Sequence, residues 1–229
     1  TFQKIICNNC GRAADFTVTA PRDVVHSLAN QFGNIYINRA TQPLTVKVKY
    51  GDLYLKEAST ASVNVSFGKA SIDRCAMLNL NSQYSSITLG TVGQLTGKTK
   101  FDGTYRIESV GRCTLTAGYT QIRIDRLSES CVVDKLRFSG LRIGEVARCF
   151  SEISVKASYS EVHLGLTPGH AFRADLSASY GQIHTGDLNI RSADTRSGHT
   201  NQLSGTAGAS ESPRARVSVT SSFGDIYLK

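Results

Sequence analysis

The segment FGNIYI at residues 32–37 indicates a repeat fold, because close copies of it recur from there to the end of the sequence. A copy begins with Phe or Tyr, continues with a small or polar pair and ends on two apolar residues separated by one other, except that the copy at Phe101 carries one extra residue and the copy at Tyr180 ends on Thr185. A motif that recurs at a nearly constant spacing indicates a stacked repeat architecture. The copies are spaced 17 to 21 residues apart until a final gap of 43, and they begin at Phe32, Tyr50, Phe67, Tyr84, Phe101, Tyr119, Phe138, Tyr159, Tyr180 and Phe223.

A second strand is predicted before each aromatic residue. Apolar residues stand four and six positions earlier, as Val63 and Ala61 do before Phe67. Because side chains alternate along a strand, we expect these residues and the aromatic ring to share the inward face. After the aromatic residue the apolar positions move to three, five and eight residues on. This change predicts a tight bend at the following small residue, often a glycine with positive φ.

The repeating unit is too short to bury its own apolar side, so the units must stack with like residues above like at about 4.8 Å. The sequence therefore predicts an all-β fold, a single-stranded parallel β-helix or β-solenoid of about ten short turns with an N-terminal cap. The predicted cap covers residues 1–31 and the repeat domain covers residues 32–229. Within that domain, the polar, Gly- and Ser-rich stretch 191–213 is predicted to be a protruding loop.

The C-terminal turn is expected to present an open strand edge. The repeat unit FGDIYL begins at Phe223 and is followed only by Lys229 in the sequence. Unpaired strand edges attract other strands, which predicts weak self-association of the chain through its C-terminal turns. The residues expected to take part are Val217, Val219, Phe223, Ile226 and Leu228.

The repeat unit resembles that of the bacterial adhesin-like β-solenoid family. The shared pattern, [F/Y]-G-[D/N]-I-x-[I/L], is clearest at Phe32–Ile37, Tyr50–Leu55 and Phe223–Leu228, and the resemblance extends over residues 32–229. It implies an exported protein of the periplasm or cell surface, with a non-enzymatic binding or scaffolding role. It implies no catalytic residues and no cofactor.

The candidate ligand-binding residues form one outward row, four positions after each aromatic residue. Aromatic rings and cations in a flat row can stack on sugars or hold anionic groups, so the expected ligand is a polysaccharide or another surface ligand. Strand propensity alone also favours such residues there. His163 and His184 are expected to be neighbours on adjacent turns. The row comprises Tyr36, Tyr54, Arg106, Arg123, Arg142, His163 and His184.

An alternative function is a carbohydrate-active enzyme, a polysaccharide lyase or hydrolase built on a β-helix. Such enzymes need at least two acids that converge within about 5–10 Å. Glu108, Asp125 and Glu145 fall at similar places on consecutive turns, where they form either an acid cluster or an outer row of salt bridges. We predict no catalytic residues.

A second alternative is a binder of an anionic polymer, because the net charge is +8. No Lys/Arg run is long enough for a polybasic tail, and no specific nucleic-acid site is indicated. No apolar stretch approaches the ~18 residues of a membrane span. The cations that support this alternative are Lys47, Lys49, Lys98, Lys100, Lys135 and Arg137.

The cysteines do not predict a metal or redox site. Cys7 and Cys10 form a lone C-x-x-C without a second pair for zinc, and are either bridged locally or free thiols. The other four coincide with apolar columns and are expected to be buried thiols that act as small hydrophobic residues. They are Cys75, Cys113, Cys131 and Cys149.

Overall fold

The computed structural model describes residues 2–9, 16–21, 24–209 and 213–229. The described residues form an all-β solenoid of stacked parallel coils, which confirms the predicted fold class. The strands are β1 (Phe2–Asn9), β2 (Phe16–Pro21), β3 (His26–Gln31), β4 (Gly33–Ala40), β5 (Leu44–Lys49), β6 (Leu53–Ser66), β7 (Lys69–Gln83), β8 (Ser86–Lys100), β9 (Thr104–Gly118), β10 (Gln121–Arg137), β11 (Gly140–Val146), β12 (Glu152–Ser158), β13 (Glu161–Leu164), β14 (Phe172–Ser179), β15 (Ile183–His184), β16 (Ile190–Ser197), β17 (Thr200–Ala207), β18 (Ala215–Ser222) and β19 (Ile226–Leu228).

Each coil contributes to two rows of parallel strands, one on either side of the repeated aromatic residue. The first face is built from the segments that precede the aromatic residues, in the order β3, β5, β6, β7, β8, β9, β10, β12, β18 and β14. The second face is built from the segments that follow them, in the order β4, β6, β7, β8, β9, β10, β11, β13, β19 and β15. The strands β6 to β10 bend through both faces.

The predicted apolar columns fill the interior. Leu80 and Leu115 are buried, and each lies four residues before an aromatic residue of the repeat. The residues that lie six positions before these two aromatic residues, and three, five and eight positions after them, are also buried. A further inward column lies two residues before the aromatic position, where Val48 and Val65 are apolar and Ser82 is buried but polar. The continuous stacking of these columns keeps apolar area out of water along the whole rod.

The aromatic residues themselves face outward, so the prediction that they share the inward face is wrong. They have positive φ, between 49° and 64°, and each ring stacks on the ring of the next coil at centroid distances of 4.7 to 5.1 Å. The left-handed backbone turns the side chain away from the core at the corner. We call this stack the aromatic ridge: Phe32, Tyr50, Phe67, Tyr84, Phe101, Tyr119, Phe138, Tyr159, Phe223 and Tyr180.

The residue after the aromatic is often glycine because the coils approach closely there. A Cβ added to Gly51 would lie 1.9 Å from the carbonyl oxygen of Gly33, and one added to Gly224 would lie 2.0 Å from that of Ser160. The predicted positive φ at these glycines is therefore wrong, since the left-handed residue is the aromatic one before them. Contact between backbones selects glycine at these corners.

Side chains at several corners accept a hydrogen bond from a backbone N–H of a neighbouring coil. At some glycine corners the acceptor is the residue after the glycine: Asn34 Oδ1 accepts from the N–H of Asp52 at 2.9 Å, and Asp52 Oδ1 accepts from that of Lys69 at 2.9 Å. At Ser139 a buried hydroxyl accepts from the N–H of Thr120 at 3.1 Å, and after Phe101 the buried carboxylate of Asp102 accepts from the N–H of Ser85 at 2.7 Å. Unpaired buried N–H groups are costly, which explains the carboxylate, amide and hydroxyl side chains at these corners.

The C-terminal coil is not an open end. The strand β18 pairs with β12 on one side and β14 on the other, and β19 lies between β13 and β15. Val217, Val219, Ile226 and Leu228 are buried, so the expectation of an exposed C-terminal edge is wrong. The final 43-residue gap allows the chain to pass beyond its last coil and return between two earlier ones. The predicted self-association loses its structural basis.

Both ends of the stack carry antiparallel strands. At one end β1 pairs with β4 and with β2, whereas β3 already lies parallel to β5, so stacking begins before the predicted boundary at residue 32. At the other end β17 lies antiparallel on β14, and β16 on β17. The stretch 191–213 is therefore largely a β-hairpin rather than the predicted loop, although residues 210–212 lie outside the described ranges.

Candidate binding surface

The structure brings the predicted outward residues into one row across the second face. Tyr36 is opposite Tyr54, Arg106 is opposite Arg123, and Arg123 is opposite Arg142. Ser71 and Thr88 separate the tyrosines from the arginines. The row predicted from the repeat is thus continuous, although its members differ in how much of each side chain is free to meet a ligand.

The histidines of this row are not direct neighbours, because Tyr227 of the inserted C-terminal coil lies between them. Its ring stacks on His163 at 4.4 Å and on His184 at 4.6 Å, nearly parallel to both. The Tyr227 hydroxyl donates to Asp225 Oδ2 at 3.1 Å, and this hydrogen bond raises the pKa of Tyr227. Both ring faces of Tyr227 are covered, so that ring cannot stack on a sugar.

The tyrosines at the other end of the row leave a ring face open. Tyr36 and Tyr54 stack on each other at 4.9 Å, and Tyr54 is followed by the small Ser71 on the next coil. The Tyr54 hydroxyl donates to Asp52 Oδ2 at 3.3 Å, and the charge of Asp52 raises the pKa of Tyr54. Tyr54 therefore offers the second face an exposed aromatic surface of the kind that can contact a sugar ring.

Two of the three arginines of the row, Arg106 and Arg123, are held by one carboxylate. Arg106 Nη2 lies 2.8 Å from Asp125 Oδ2, and Arg123 Nε lies 2.8 Å from Asp125 Oδ1. Hydrogen bonds from Arg123 and Arg106 lower the pKa of the Asp125 carboxyl. Arg142 has no carboxylate within 4.0 Å among the described residues and lines an open recess of about 710 Å³ between the ridge and the row, together with Glu161.

Two of the three candidate acid residues, Asp125 and Glu145, are engaged in separate ion pairs, whereas Glu108 is exposed and has no cation within 4.0 Å among the described residues. Glu145 Oε2 lies 3.4 Å from Arg126 Nε, while Asp125 is bound by the two arginines of the row. Glu145 is opposite Arg126 rather than opposite Asp125 in the strand register. This arrangement matches a surface row of salt bridges, and such pairs have a small effect on stability.

A second candidate surface lies on the first face, where the cations predicted to favour anionic-polymer binding come together. Lys98 and Lys100 stand on β8, and Lys135 and Arg137 stand on β10, with β9 between them. The side chains border a recess of about 670 Å³ that also includes the ridge residues Tyr119 and Phe138. Lys47 and Lys49 lie on β5, further along the same face, beside a smaller recess.

Sequence reasoning identified these cations but missed the recess between them. Its floor is formed at Thr116 and Gly118, and a Cβ built on Gly118 meets no atom within 4 Å. Lys100 Nζ lies 5.1 Å from the centre of the Phe101 ring, which places the ammonium against the ridge. The sequence does contain a signal for the recess. Gly118 stands directly before an aromatic residue, at the position where the neighbouring coils carry cations, so a gap between those cations could have been predicted.

Three of the four mid-chain cysteines are buried, as expected, but Cys149 is exposed. Cys149 follows the end of β11, where the regular coil is interrupted before β12, so the column assignment fails there. Burial raises the pKa of Cys75 to about 11, and contact with Cys131 and burial raise that of Cys113. The strand β1 includes Cys7, whereas Cys10 lies outside the described residues.

No group of three or more potential metal ligands occurs among the residues that the structure describes. The same residues include no helix that is long and apolar enough to cross a membrane. Comparison with known protein families, curated proteins and solved structures gave no match. The repeat and the geometry of the two faces are therefore the basis on which a function can be inferred.

Proposed function

We propose that this chain is a non-enzymatic, adhesin-like binding or scaffolding module that is exported to the periplasm or cell surface and binds a polysaccharide or another surface ligand. The observation that carries the proposal is the set of continuous side-chain rows on the outer surface of the solenoid. In the described part of the chain, outward side chains form rows across successive coils, and the recesses beside the ridge are open. A surface of this kind suits an extended ligand.

The polysaccharide-cleaving alternative receives less support from the geometry. A general acid on a carbohydrate-active enzyme needs a raised pKa, and its partner acid must lie within about 5–10 Å across the scissile bond. The pKa of Asp125 is lowered instead, because Arg123 and Arg106 stabilise its charged form. Glu145 is bound to a different arginine, Arg126.

The proposed function predicts retention without cleavage. The chain is passed over immobilised acidic and neutral polysaccharides and over isolated cell envelopes of the source organism, and the retained fraction is measured. The same polysaccharides are incubated with the chain, and reducing ends and unsaturated products are followed for several hours. We expect saturable binding to at least one surface and no product above that of heat-treated protein.

Two results would overturn this proposal. Product that forms with the native chain and disappears with Asp125→Asn would favour the enzyme alternative. Absence of binding to every polysaccharide and to cell envelopes would remove the binding role. The export part of the proposal is tested separately: protease treatment of intact cells should degrade the protein at the surface, or mild release of the periplasm should recover it, and recovery in the cytoplasm alone would contradict it.

A further inference from the structure

The cations that border the recess of the first face lack carboxylate partners, although the same face carries the ion pairs Arg112–Glu129 and Arg216–Asp175 elsewhere. These four cations are Lys98, Lys100, Lys135 and Arg137, and none has a carboxylate within 4.0 Å among the described residues. By contrast, Arg106, Arg123 and Arg126 on the second face each pair with a carboxylate. Two acidic residues lie next to this group in the chain: Asp134, exposed at the bulge of β10, and Asp102, whose buried carboxylate accepts from the hydroxyls of Ser82 and Thr99. Among the described residues, none of the four cations forms an ion pair with either of these acids.

The strand register places the cations as two pairs with a gap of one coil. Lys98 is opposite Thr116, which is opposite Lys135; Lys100 is opposite Gly118, which is opposite Arg137. Because adjacent strands lie about 4.8 Å apart, the two pairs are separated by about 10 Å. The small residues of β9 leave the recess between the pairs open, so an anionic group can approach cations on both sides of it.

Uncharged hydrogen-bonding groups continue this surface along the rod. On the coils before the recess, Asn64, Asn81 and Gln83 border it, and Asn81 Nδ2 donates to Asn64 Oδ1 at 3.2 Å. Amide groups beside unpaired cations are suited to a ligand that carries both hydroxyl and anionic groups. The groove thus combines charge attraction with polar groups that can recognise the neutral part of a polymer.

We propose that an acidic polysaccharide, one that carries carboxylate or sulfate groups, binds along the first face with an anionic group in the recess above Gly118. This inference rests on the proposed binding function and names its ligand class and site. Single-stranded nucleic acid fits less well, because sequence-independent binding of it depends on open aromatic faces for base stacking. The rings of Tyr119 and Phe138 stack at 5.0 Å within the ridge, so their faces are covered.

The test measures binding of heparin and of polygalacturonate by calorimetry over a series of NaCl concentrations, with dextran as the neutral polymer and oligo(dT) as the nucleic acid. Two double variants remove the cation pairs, Lys98→Gln with Lys100→Gln, and Lys135→Gln with Arg137→Gln. The matched control, Lys56→Gln with Lys69→Gln, removes the same charge from exposed positions outside the recess. Gly118→Gln fills the recess without changing the charge.

We expect one or both acidic polysaccharides to bind, with affinity that falls as salt rises, and dextran not to bind. Each cation-pair variant should lose at least tenfold in affinity, Gly118→Gln at least fivefold, and the control less than twofold. Equal losses in the control and the cation-pair variants, an unchanged affinity of Gly118→Gln, or tighter binding of oligo(dT) than of either polysaccharide would overturn the proposal. If the variants retain binding to cell envelopes, the site assignment fails while the proposed function stands.

Discussion

Replacement of Tyr84 by alanine tests the energetic basis of the aromatic ridge. The Tyr84 ring stacks on Phe67 at 5.0 Å and on Phe101 at 5.0 Å, and the residue has a φ of 51°. Two stacked pairs are worth about 0.5–1.5 kcal/mol each, so Tyr84→Ala should lower the free energy of unfolding by about 1–3 kcal/mol. Tyr84→Gly loses the same contacts but adopts positive φ without strain, and should therefore be about 1 kcal/mol more stable than Tyr84→Ala.

The assay is urea unfolding monitored by circular dichroism, with Tyr84→Phe as the control that keeps both stacking contacts. We expect this control to match the native chain within about 0.5 kcal/mol, the usual range for substitutions that remove no specific interaction. If alanine proves as stable as glycine at this position, residue 84 does not adopt the left-handed backbone. If alanine proves as stable as tyrosine, ring stacking in the ridge does not contribute to stability, and its assigned energetic role is refuted.

Leu80→Asp places an unpaired charge in the apolar interior and should abolish cooperative thermal unfolding. The control Asn81→Asp changes the next residue, which faces outward, and should melt normally. A normal melting curve of Leu80→Asp would contradict the strand register. A thiol reagent should label the exposed Cys149 within minutes, as followed by mass spectrometry. Cys75 is buried and its pKa is raised to about 11, so it should be labelled only when the protein unfolds. Rapid labelling of native Cys75 would disprove its burial. Burial and the charge of Arg148 lower the pKa of His170, so the folded state binds fewer protons than the unfolded chain and stability should fall as the pH drops below the ordinary value of 6.5. His170→Gln should flatten the dependence of Tm on pH between about 7.5 and 5.5, and an identical slope in both proteins would rule out this contribution.

The sequence determined the fold class and most of the interior. The alternation of apolar residues before and after each aromatic residue specifies which side chains face inward, because a strand has a period of two and the units recur at a nearly constant spacing. Leu80, Leu115 and Val155 are buried as that pattern predicts. The outward row of the second face follows from the same alternation, so Arg106, Arg123 and Arg142 are neighbours as expected.

The direction of the aromatic side chains was decided by the backbone at the corner. Period-two alternation holds only while the chain stays extended, and one residue with positive φ reverses the side on which its side chain lies. A non-glycine residue rarely adopts that conformation, so the sequence favoured the following glycine as the left-handed residue. In the structure Tyr50 has a φ of 56°, while Gly51 is required because the carbonyl of Gly33 leaves no room for a Cβ.

The order of the coils was decided only by tertiary structure. Every coil presents similar edges, so local sequence cannot specify which coil lies above which, and chain order is the natural assumption. The hairpin of β16 and β17 covers the edge of β14 and lets the C-terminal coil enter between β12 and β14. The same insertion places Tyr227 between His163 and His184. These neighbours arise from pairing between distant segments, which a local pattern does not encode.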